Sequence, residues 1–255
     1  MKPKDALEIS RAIGESVRRE VLRLAGKRES DVTVGIGKDG TPTKKIDKVA
    51  EDIALDFLKD YDLTVISEEA GVVGEGGTVV ALDPVDGTFN AVKGVPFYSI
   101  SLCFSRSRFF EDSFFAYVMN LATGTEYYSI NGKSFRDGDR IRVSGKSRIE
   151  DANVIFYYPE RSMKIKRIRI FGCASLEICL VADGTFDAFI DVRGKRGFLR
   201  IFDVAAGLFI AENAGAVVTD EIGKDLGKKE FSMRERFKIV VSNKKLHKKM
   251  LELIK

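Results

Sequence analysis

Apolar residues recur at helical spacing in the first sixty positions of the chain. One stripe predicts a helix over about residues 4–25, and a second predicts a helix over about residues 45–60. Each stripe leaves charged residues on the opposite face, which is typical of helices that pack against a sheet. The apolar positions of the stripes are Leu7, Ala12, Ile13, Val17, Val21 and Leu24 in the first, and Ile46, Val49, Ala50, Ile53 and Phe57 in the second.

The period then changes to that of strands. The segments LTVIS and TVVALD predict two buried strands, and carboxylates follow or end each of them. Three more strands are predicted at YSISLCFS, FFAYVMN and TEYYSI, with a turn at Asn131–Ser134. Residues 1–140 are therefore expected to form an α+β domain, in which helices pack on a largely antiparallel sheet.

Helices and strands alternate in the second half. NVIFYY, FDAFID, AVVTD and FKIVVSN predict strands, while ASLEICLVADG, FDVAAGLFIAENAG and KKLHKKMLELI predict helices. Gly184 and Gly215 follow two of these helices at the position where a chain often leaves a helix. The alternation favours an α/β domain over residues 141–255.

Composition and charge narrow the class of protein. Hydrophobic residues make up 44% of the 255 positions and charged residues 31%, as in ordinary soluble domains. No apolar run spans a bilayer, and the first residues lack a signal-peptide core, so a cytoplasmic protein without membrane contact is expected. The net charge of +4 is too small to indicate nucleic-acid binding. The chain has no glutamine, which together with its many charged residues resembles thermophile usage.

Neither the histidine nor the cysteines of the chain indicate a catalytic or metal site. Three cysteines in a chain of this length predict buried free thiols rather than a disulfide framework. His247, the one histidine, stands among lysines and is expected to be solvated. Any chemistry should therefore rest on carboxylates.

The segment GIGKDG over residues 35–40 fits a glycine-rich nucleotide pattern, but its context does not. A dinucleotide site needs a buried strand before the glycines and a helix directly after them. Here a short polar segment precedes them and Pro42 follows. The segment is expected to form a mobile loop.

Acidic residues cluster at the ends of the predicted elements. Each has an ordinary alternative: Asp203 could cap a helix, Asp83 and Asp86 could form a turn with Pro84, and the glutamates could be solvated. The clusters comprise Glu68 and Glu69 after LTVIS, Asp83 and Asp86 in LDPVDGT, Asp203 in FDVAAG, and Asp47 near the start of the second helix.

If these acids converge, their like charges require cations nearby. Oxygen ligands without histidine favour Mg²⁺, or Mn²⁺, over zinc. The carbonyl of Val85 is a further oxygen donor, and the N–H groups of Gly87 and Thr88 could bind an anion. Metal ions beside an anion-binding turn suit phosphoryl chemistry.

The motifs SEEA, DPVDGTFNAVKGVPFYSISL and FDVAAGLFIAENAG, in this order, resemble those of the inositol monophosphatase superfamily, which are magnesium-dependent, lithium-sensitive phosphomonoesterases. The resemblance covers almost the whole chain. It implies an α-β-α-β-α layered sandwich of the α/β class, a homodimer, and a small sugar phosphate as the substrate. Archaeal members hydrolyse both inositol monophosphate and fructose 1,6-bisphosphate, and this sequence is most similar to those.

The resemblance also implies roles for individual residues. Two or three ions would be bound by Glu68, Asp83, Asp86, Asp203 and the carbonyl of Val85. Asp47 with Thr88, and less directly Glu69, would orient or deprotonate the attacking water. The substrate would be bound by Asp86, Gly87, Thr88 and Ala174, with Asp191 near the sugar hydroxyls and with Arg169, Arg193 and Arg200 near the sugar or a second phosphate.

Three departures and two alternatives accompany the resemblance. Leu82 and Phe202 stand where relatives often have tryptophan, Ser67 replaces a glycine, and the segment 192–201 is longer and more basic than in animal members. One alternative is a 3′-phosphoadenosine 5′-phosphate phosphatase of the same superfamily. The other is a non-enzymatic anion- or RNA-binding module that uses the basic stretches 161–170 and 193–200.

Overall fold

The computed structural model describes residues 1–38, 40–159 and 163–255. Asp39 of the glycine-rich segment and the first two residues of the basic stretch 161–170 lie outside the described residues. The helices are α1 (Pro3–Leu24), α2 (Lys45–Leu58), α3 (Thr88–Lys93), α4 (Ala174–Ala182), α5 (Ile201–Asn213) and α6 (His247–Leu253). The strands are β1 (Thr33–Ile36), β2 (Pro42–Lys44), β3 (Leu63–Ser67), β4 (Gly71–Val73), β5 (Thr78–Asp86), β6 (Ser99–Ser105), β7 (Ser113–Asn120), β8 (Glu126–Ile130), β9 (Lys133–Arg136), β10 (Asp139–Arg140), β11 (Asn153–Phe156), β12 (Arg167–Arg169), β13 (Ala188–Asp191), β14 (Ala216–Thr219) and β15 (Ile239–Asn243).

The larger sheet has eight strands in the order β10-β9-β8-β7-β6-β5-β3-β4. Its neighbours are antiparallel except β3 and β5, which run parallel, so the expected largely antiparallel sheet is confirmed. Because β3 and β5 are parallel, their carboxyl ends meet at one edge of the sheet. The residues that follow Ser67 and those around Asp86 are therefore brought together.

The smaller sheet has five strands in the order β12-β11-β13-β15-β14. β11 is parallel to β12 and to β13, whereas β15 is antiparallel to both of its neighbours. β12 was not predicted, because it is three residues long and partly exposed at the edge of the sheet.

Three buried clusters define the layers. The first lies between α1, α2 and one face of the larger sheet. The second lies between the opposite face, α4, α5 and the smaller sheet. The third covers the outer face of the smaller sheet under α6. This succession confirms the predicted α-β-α-β-α sandwich, and it places the start of α5 beside the larger sheet, where the hydroxyl of Ser101 donates to the carbonyl of Phe202 over 3.0 Å. The division into domains at residue 140 stays a prediction.

The glycine-rich segment contains more regular structure than expected. Thr33–Ile36 and Pro42–Lys44 pair as an antiparallel hairpin, and the N–H of Gly37 donates to the carbonyl of Thr41 over 2.8 Å. A strand rather than a helix follows the glycines, which agrees with the rejection of a dinucleotide site. The N–H of Lys38 donates to the carbonyl of Glu69 over 3.0 Å, so the hairpin lies next to the acidic residues.

The expectation for His247 is wrong. Its side chain is buried, 7% exposed, at the start of α6. Nε2 lies 2.9 Å from the hydroxyl of Thr219, and Nδ1 lies 3.0 Å from that of Ser242. The lysines around it in sequence point elsewhere, since a short helix on a sheet buries one face and leaves the other to solvent.

Candidate active site

The turn after β5 holds two of the predicted acids in fixed positions. Oδ1 of Asp83 accepts the N–H of Val85 over 3.0 Å, so the carboxylate closes a turn around Pro84. Gly87 then has a φ of 87°. A Cβ added there would lie 3.2 Å from the Cβ of Cys173 and 3.2 Å from the carbonyl oxygens of Phe97 and Gly172. Only glycine fits this close approach without strain.

Asp203 both caps a helix and faces the other acids. Its Oδ2 accepts the N–H of Arg200 over 2.6 Å at the first turn of α5, as the capping alternative requires. Burial raises the pKa of Asp203, and the nearby charge of Asp86 raises it further. Asp203 therefore caps α5 and also belongs to the group of acids.

Glu68 reaches the same place from the end of β3. Its Oε1 accepts a hydrogen bond from Nη1 of Arg200 over 2.9 Å, and its side chain is 22% exposed. Burial raises the pKa of Glu68, the charge of Asp203 raises it further, and Arg200 lowers it. The structure thus brings together Glu68, Asp83, Asp86 and Asp203, which come from three separate parts of the chain.

Burial and mutual repulsion govern the charge of this group of acids. Asp83 is 2% exposed, and its pKa is raised first by burial and then by Glu68, Asp86 and Asp203. The same causes, burial first and Asp86 next, raise the pKa of Asp203 to about 7. Such a group attracts cations.

The start of α4 contributes residues that sequence reasoning missed. Oδ2 of Asp86 accepts the N–H of Ser175 over 2.7 Å and its hydroxyl over 2.6 Å, and the thiol of Cys173 lies 3.2 Å away. Ala174, predicted to contact substrate, lies between these two residues. A serine in the first turn of a predicted helix was the available signal, but only the fold reveals that it meets Asp86.

Asp47 and Thr88 form the predicted pair. The hydroxyl of Thr88 lies 3.0 Å from Oδ1 of Asp47 and 3.1 Å from the carbonyl of Val85. Burial raises the pKa of Asp47 to about 7, and the charge of Glu69 adds to the rise, while the bond from Thr88 opposes it. Glu69 accepts a hydrogen bond from the hydroxyl of Thr43. A cavity of about 360 Å³ opens here, lined in part by Asp47, Glu68, Glu69 and Thr88.

Asp191 and Arg193 are engaged with each other. Arg193 donates from Nε to Oδ1 of Asp191 over 2.9 Å and from Nη2 to Oδ2 over 2.6 Å. Asp191 is 1% exposed and both of its oxygens accept from Arg193, while its contact with the sugar hydroxyls stays a prediction. Arg193, with a side chain 28% exposed, is the member of the pair that solvent and ligands can reach.

The other two arginines differ in their surroundings. Arg200 lies among the acids through its bond to Glu68, and its Cζ lies 5.6 Å from the ring centroid of Phe202. Arg169 is exposed at the end of β12, where Nη1 donates to the carbonyl of Ile168 over 2.8 Å. Arg200 therefore contacts the acids directly, and the substrate contacts expected for Arg169 and Arg200 stay predictions.

The donor set fits hard divalent cations. It consists of carboxylates from β5, α5 and the end of β3, with the Val85 carbonyl near them, and oxygen donors of this kind suit Mg²⁺ or Mn²⁺. One oxygen of Asp86 is held by Ser175, which leaves the other for an ion. Across residues 1–38, 40–159 and 163–255, no three acidic, cysteine or histidine side chains are close enough together to hold a metal ion as they stand. An ion would have to draw the carboxylates together and compete with Arg200 for Glu68.

Comparison with known proteins agrees with the fold and the motifs. The model of the inositol monophosphatase family matches residues 4–255. A fructose-1,6-bisphosphatase/inositol-1-monophosphatase of Archaeoglobus fulgidus is 54% identical over the full length of both chains. A bifunctional NADP phosphatase/NAD kinase of Methanococcus maripaludis is 34% identical over 97% of this chain and 49% of its own length.

A solved structure extends the agreement to three dimensions. The crystal structure of an inositol monophosphatase–fructose 1,6-bisphosphatase superposes with a TM-score of 0.87 at 34% identity, covering 100% of this chain and 98% of the other. In the described part of the chain, no helix is both long and apolar enough to cross a membrane. The chain belongs to the inositol monophosphatase family.

Proposed function

We propose that the chain is a divalent-metal-dependent phosphomonoesterase that hydrolyses fructose 1,6-bisphosphate and inositol 1-phosphate. The observation that carries the proposal is the meeting of Glu68, Asp83, Asp86 and Asp203 beside the Thr88–Asp47 pair. The relative with 54% identity along the whole chain is named for both activities.

The four carboxylates and the Val85 carbonyl would hold two or three Mg²⁺ or Mn²⁺ ions. Bound there, such ions supply charge neutralisation for the phosphoryl group and make water more acidic. The proposal assigns the rest to side chains of this chain, since phosphoryl transfer depends mainly on positioning and electrostatics.

Asp47 and Thr88 are the groups that can position a water molecule. The Thr88 hydroxyl has two acceptors within reach, the carboxylate of Asp47 and the carbonyl of Val85. If the hydroxyl donates to Asp47, its lone pairs stay available to accept from a water. Asp47, with a pKa raised to about 7, is suited to take up a proton near neutral pH.

Arg193 is the proposed contact for the sugar or for a second phosphate. Asp191 fixes the guanidinium through two parallel hydrogen bonds, and the remaining N–H groups can bind an anion. A pre-oriented arginine loses less entropy when it binds phosphate than a mobile one. A homodimer belongs to the proposal as well, and light scattering measures it.

A phosphate-release assay tests the proposal. The substrates are fructose 1,6-bisphosphate, inositol 1-phosphate, 3′-phosphoadenosine 5′-phosphate and NADP, each with Mg²⁺, with EDTA, and with Mg²⁺ plus lithium. We expect Mg²⁺-dependent release from the first two at the highest kcat/KM. Faster phosphate release from either nucleotide would show that the nucleotide, rather than a sugar phosphate, is the preferred substrate. Phosphate release that EDTA leaves unchanged would refute the proposal.

A further inference from the structure

Glu177 is a buried carboxylate outside the group of acids just described. It lies on α4 and is 0% exposed. One oxygen, Oε1, accepts the N–H of Phe171 over 2.6 Å and that of Gly172 over 3.3 Å. The other, Oε2, accepts the hydroxyl of Tyr157 over 2.6 Å. A single side chain thus connects α4, the segment before it, and the residue after β11.

One arm of this network leads to Asp86. The carbonyl of Phe171 accepts a bond from Nδ2 of Asn90 over 2.7 Å, so Asn90 and Glu177 hold the same peptide segment from two sides. Four residues further on, Ser175 donates both its N–H and its hydroxyl to Asp86. The position of Ser175 against Asp86 therefore depends on the path of the segment that Glu177 fixes.

The other arm leads to Arg193. Tyr157 is 7% exposed, and the centroid of its ring lies 4.2 Å from Cζ of Arg193, which is a close cation–π contact. The hydroxyl that donates to Glu177 holds the ring at this place. Asp191 binds one edge of the guanidinium, and among the three aromatic rings around it Tyr157 lies nearest, since the rings of Phe198 and Tyr158 lie 5.2 and 5.6 Å from Cζ.

Packing alone does not account for an acid at this position. Burial raises the pKa of Glu177 to about 7, and the bonds from Tyr157 and Phe171 lower it. Burying a carboxylate is strongly unfavourable unless hydrogen bonds compensate for the lost water. Here three donors do so, while the neighbours Leu176 and Ile178 show that the helix otherwise buries apolar side chains.

We propose that Glu177 is a positioning residue that fixes Asp86 and Arg193 relative to each other. It acts on Asp86 through residues 171–175, and on Arg193 through Tyr157. The inference rests on the proposed function, because catalysis is its readout. Asp86 would act on the reacting phosphate, and Arg193 would contact the rest of the substrate. Glu177 would keep these two parts of the substrate aligned.

Three variants separate the arms: Glu177→Leu, Glu177→Gln and Tyr157→Phe. kcat and KM are measured for fructose 1,6-bisphosphate and inositol 1-phosphate at saturating Mg²⁺, with circular dichroism and the melting temperature as controls for folding. Tyr127→Phe is the matched control, since Tyr127 is also buried and donates to a carboxylate, that of Asp183, over 2.9 Å.

Glu177→Leu should lower kcat at least about ten-fold on both substrates, because displacement of a catalytic group by a fraction of an ångström has effects of this size. Glu177→Gln should restore kcat to within about three-fold, since the amide oxygen can accept the two N–H groups and the amide nitrogen can donate to the oxygen of Tyr157. Tyr157→Phe should leave kcat nearly unchanged but raise KM for fructose 1,6-bisphosphate at least about three-fold more than KM for inositol 1-phosphate. Tyr127→Phe should change neither.

Two results would overturn the inference: a folded Glu177→Leu protein with wild-type kcat, or a Tyr157→Phe protein whose KM changes equally for both substrates. If Glu177→Leu does not fold, the KM ratio of Tyr157→Phe decides alone. A wild-type protein without Mg²⁺-dependent activity on either substrate would refute the proposed function instead, so the two failures are distinguishable.

Discussion

Nη1 of Arg200 donates to Oε1 of Glu68 over 2.9 Å, across 132 positions of sequence. The same residue's N–H donates to Asp203 over 2.6 Å. One arginine therefore contacts two of the carboxylates proposed to hold metal. Its positive charge compensates part of the negative charge of the group, and an ion that binds Glu68 must displace it or share the carboxylate with it.

Replacing Arg200 should strengthen metal binding. Arg200→Met removes a unit charge about one hydrogen-bond length from Glu68, and we expect the half-saturating Mg²⁺ concentration to fall roughly three- to ten-fold. The assay is the phosphatase rate as a function of Mg²⁺. Arg196→Met, a change at an exposed arginine of the same segment, is the control. An Mg²⁺ requirement that rises in Arg200→Met would contradict the assignment of Glu68 as a ligand.

Removing one acid should stabilise the metal-free protein. Asp83→Asn keeps an oxygen that can accept the Val85 N–H but relieves the repulsion from Glu68, Asp86 and Asp203. In EDTA we expect a higher melting temperature, by about 2–4 °C for each kcal/mol of relief. With Mg²⁺, the wild type should gain stability and the variant should gain far less.

Scanning calorimetry with and without Mg²⁺ makes this comparison. Asp220→Asn is the matched control, since Asp220 also accepts backbone N–H groups, from Ile222 and Lys224, in a turn away from the acids. An Asp83→Asn protein with the same response to Mg²⁺ as the wild type would remove Asp83 from the ligand set.

The hydroxyl of Thr88 should matter for the rate rather than for folding. Thr88→Val keeps the shape but removes the bond to Asp47, and we expect kcat to fall about a hundred-fold, as is usual when a group that directs proton transfer is lost. Thr88→Ser keeps the hydroxyl and should retain most of the activity. Steady-state kinetics at saturating Mg²⁺ measure both. Equal rates for the valine and serine variants would mean that the hydroxyl has no catalytic role.

His247 should make the fold sensitive to mild acid. Burial lowers the pKa of His247 below its ordinary value of 6.5, so the folded state binds the proton less well than the unfolded state. Its contribution to stability is complete above pH 6.5 and is lost as the pH falls through that value towards the folded pKa. The wild type should therefore lose more stability than His247→Gln between pH 7.5 and pH 5.

Urea unfolding at both pH values gives the difference between the two proteins. The buried acids have raised pKa values, which change the stability with pH in the opposite direction. Their effect is the same in both proteins, so it cancels in the difference. Identical pH dependence in the two proteins would show that the ring is not the titrating group.

Local patterns in the sequence predicted several helices, strands and turns of the fold. The apolar stripes gave α1 and α2, and the turn signal at Asn131–Ser134 matches the two-residue hairpin between β8 and β9. The carboxylates were noticed because they follow buried strands. These features are visible in sequence because a helix stripe, a turn and a strand end each depend on neighbouring residues.

What sequence reasoning missed depends on contacts between distant segments. The ring of His247 is buried and lies within hydrogen-bond distance of Thr219 and Ser242, and the guanidinium that binds Asp191 takes its direction from the fold. Ser175 and Glu177 looked like ordinary residues of an apolar helix. Their importance follows from the approach of α4 to Asp86, which no local pattern encodes.

Anomalous diffraction from crystals grown with Mn²⁺ tests the central claim most directly, because it locates the ions without reference to activity. The account predicts peaks about 2 Å from carboxylate oxygens of Asp83, Asp86 and Asp203, with Glu68 turned from Arg200 towards one of them. Peaks elsewhere on the molecule, with none among these four residues at saturating Mn²⁺, would contradict it.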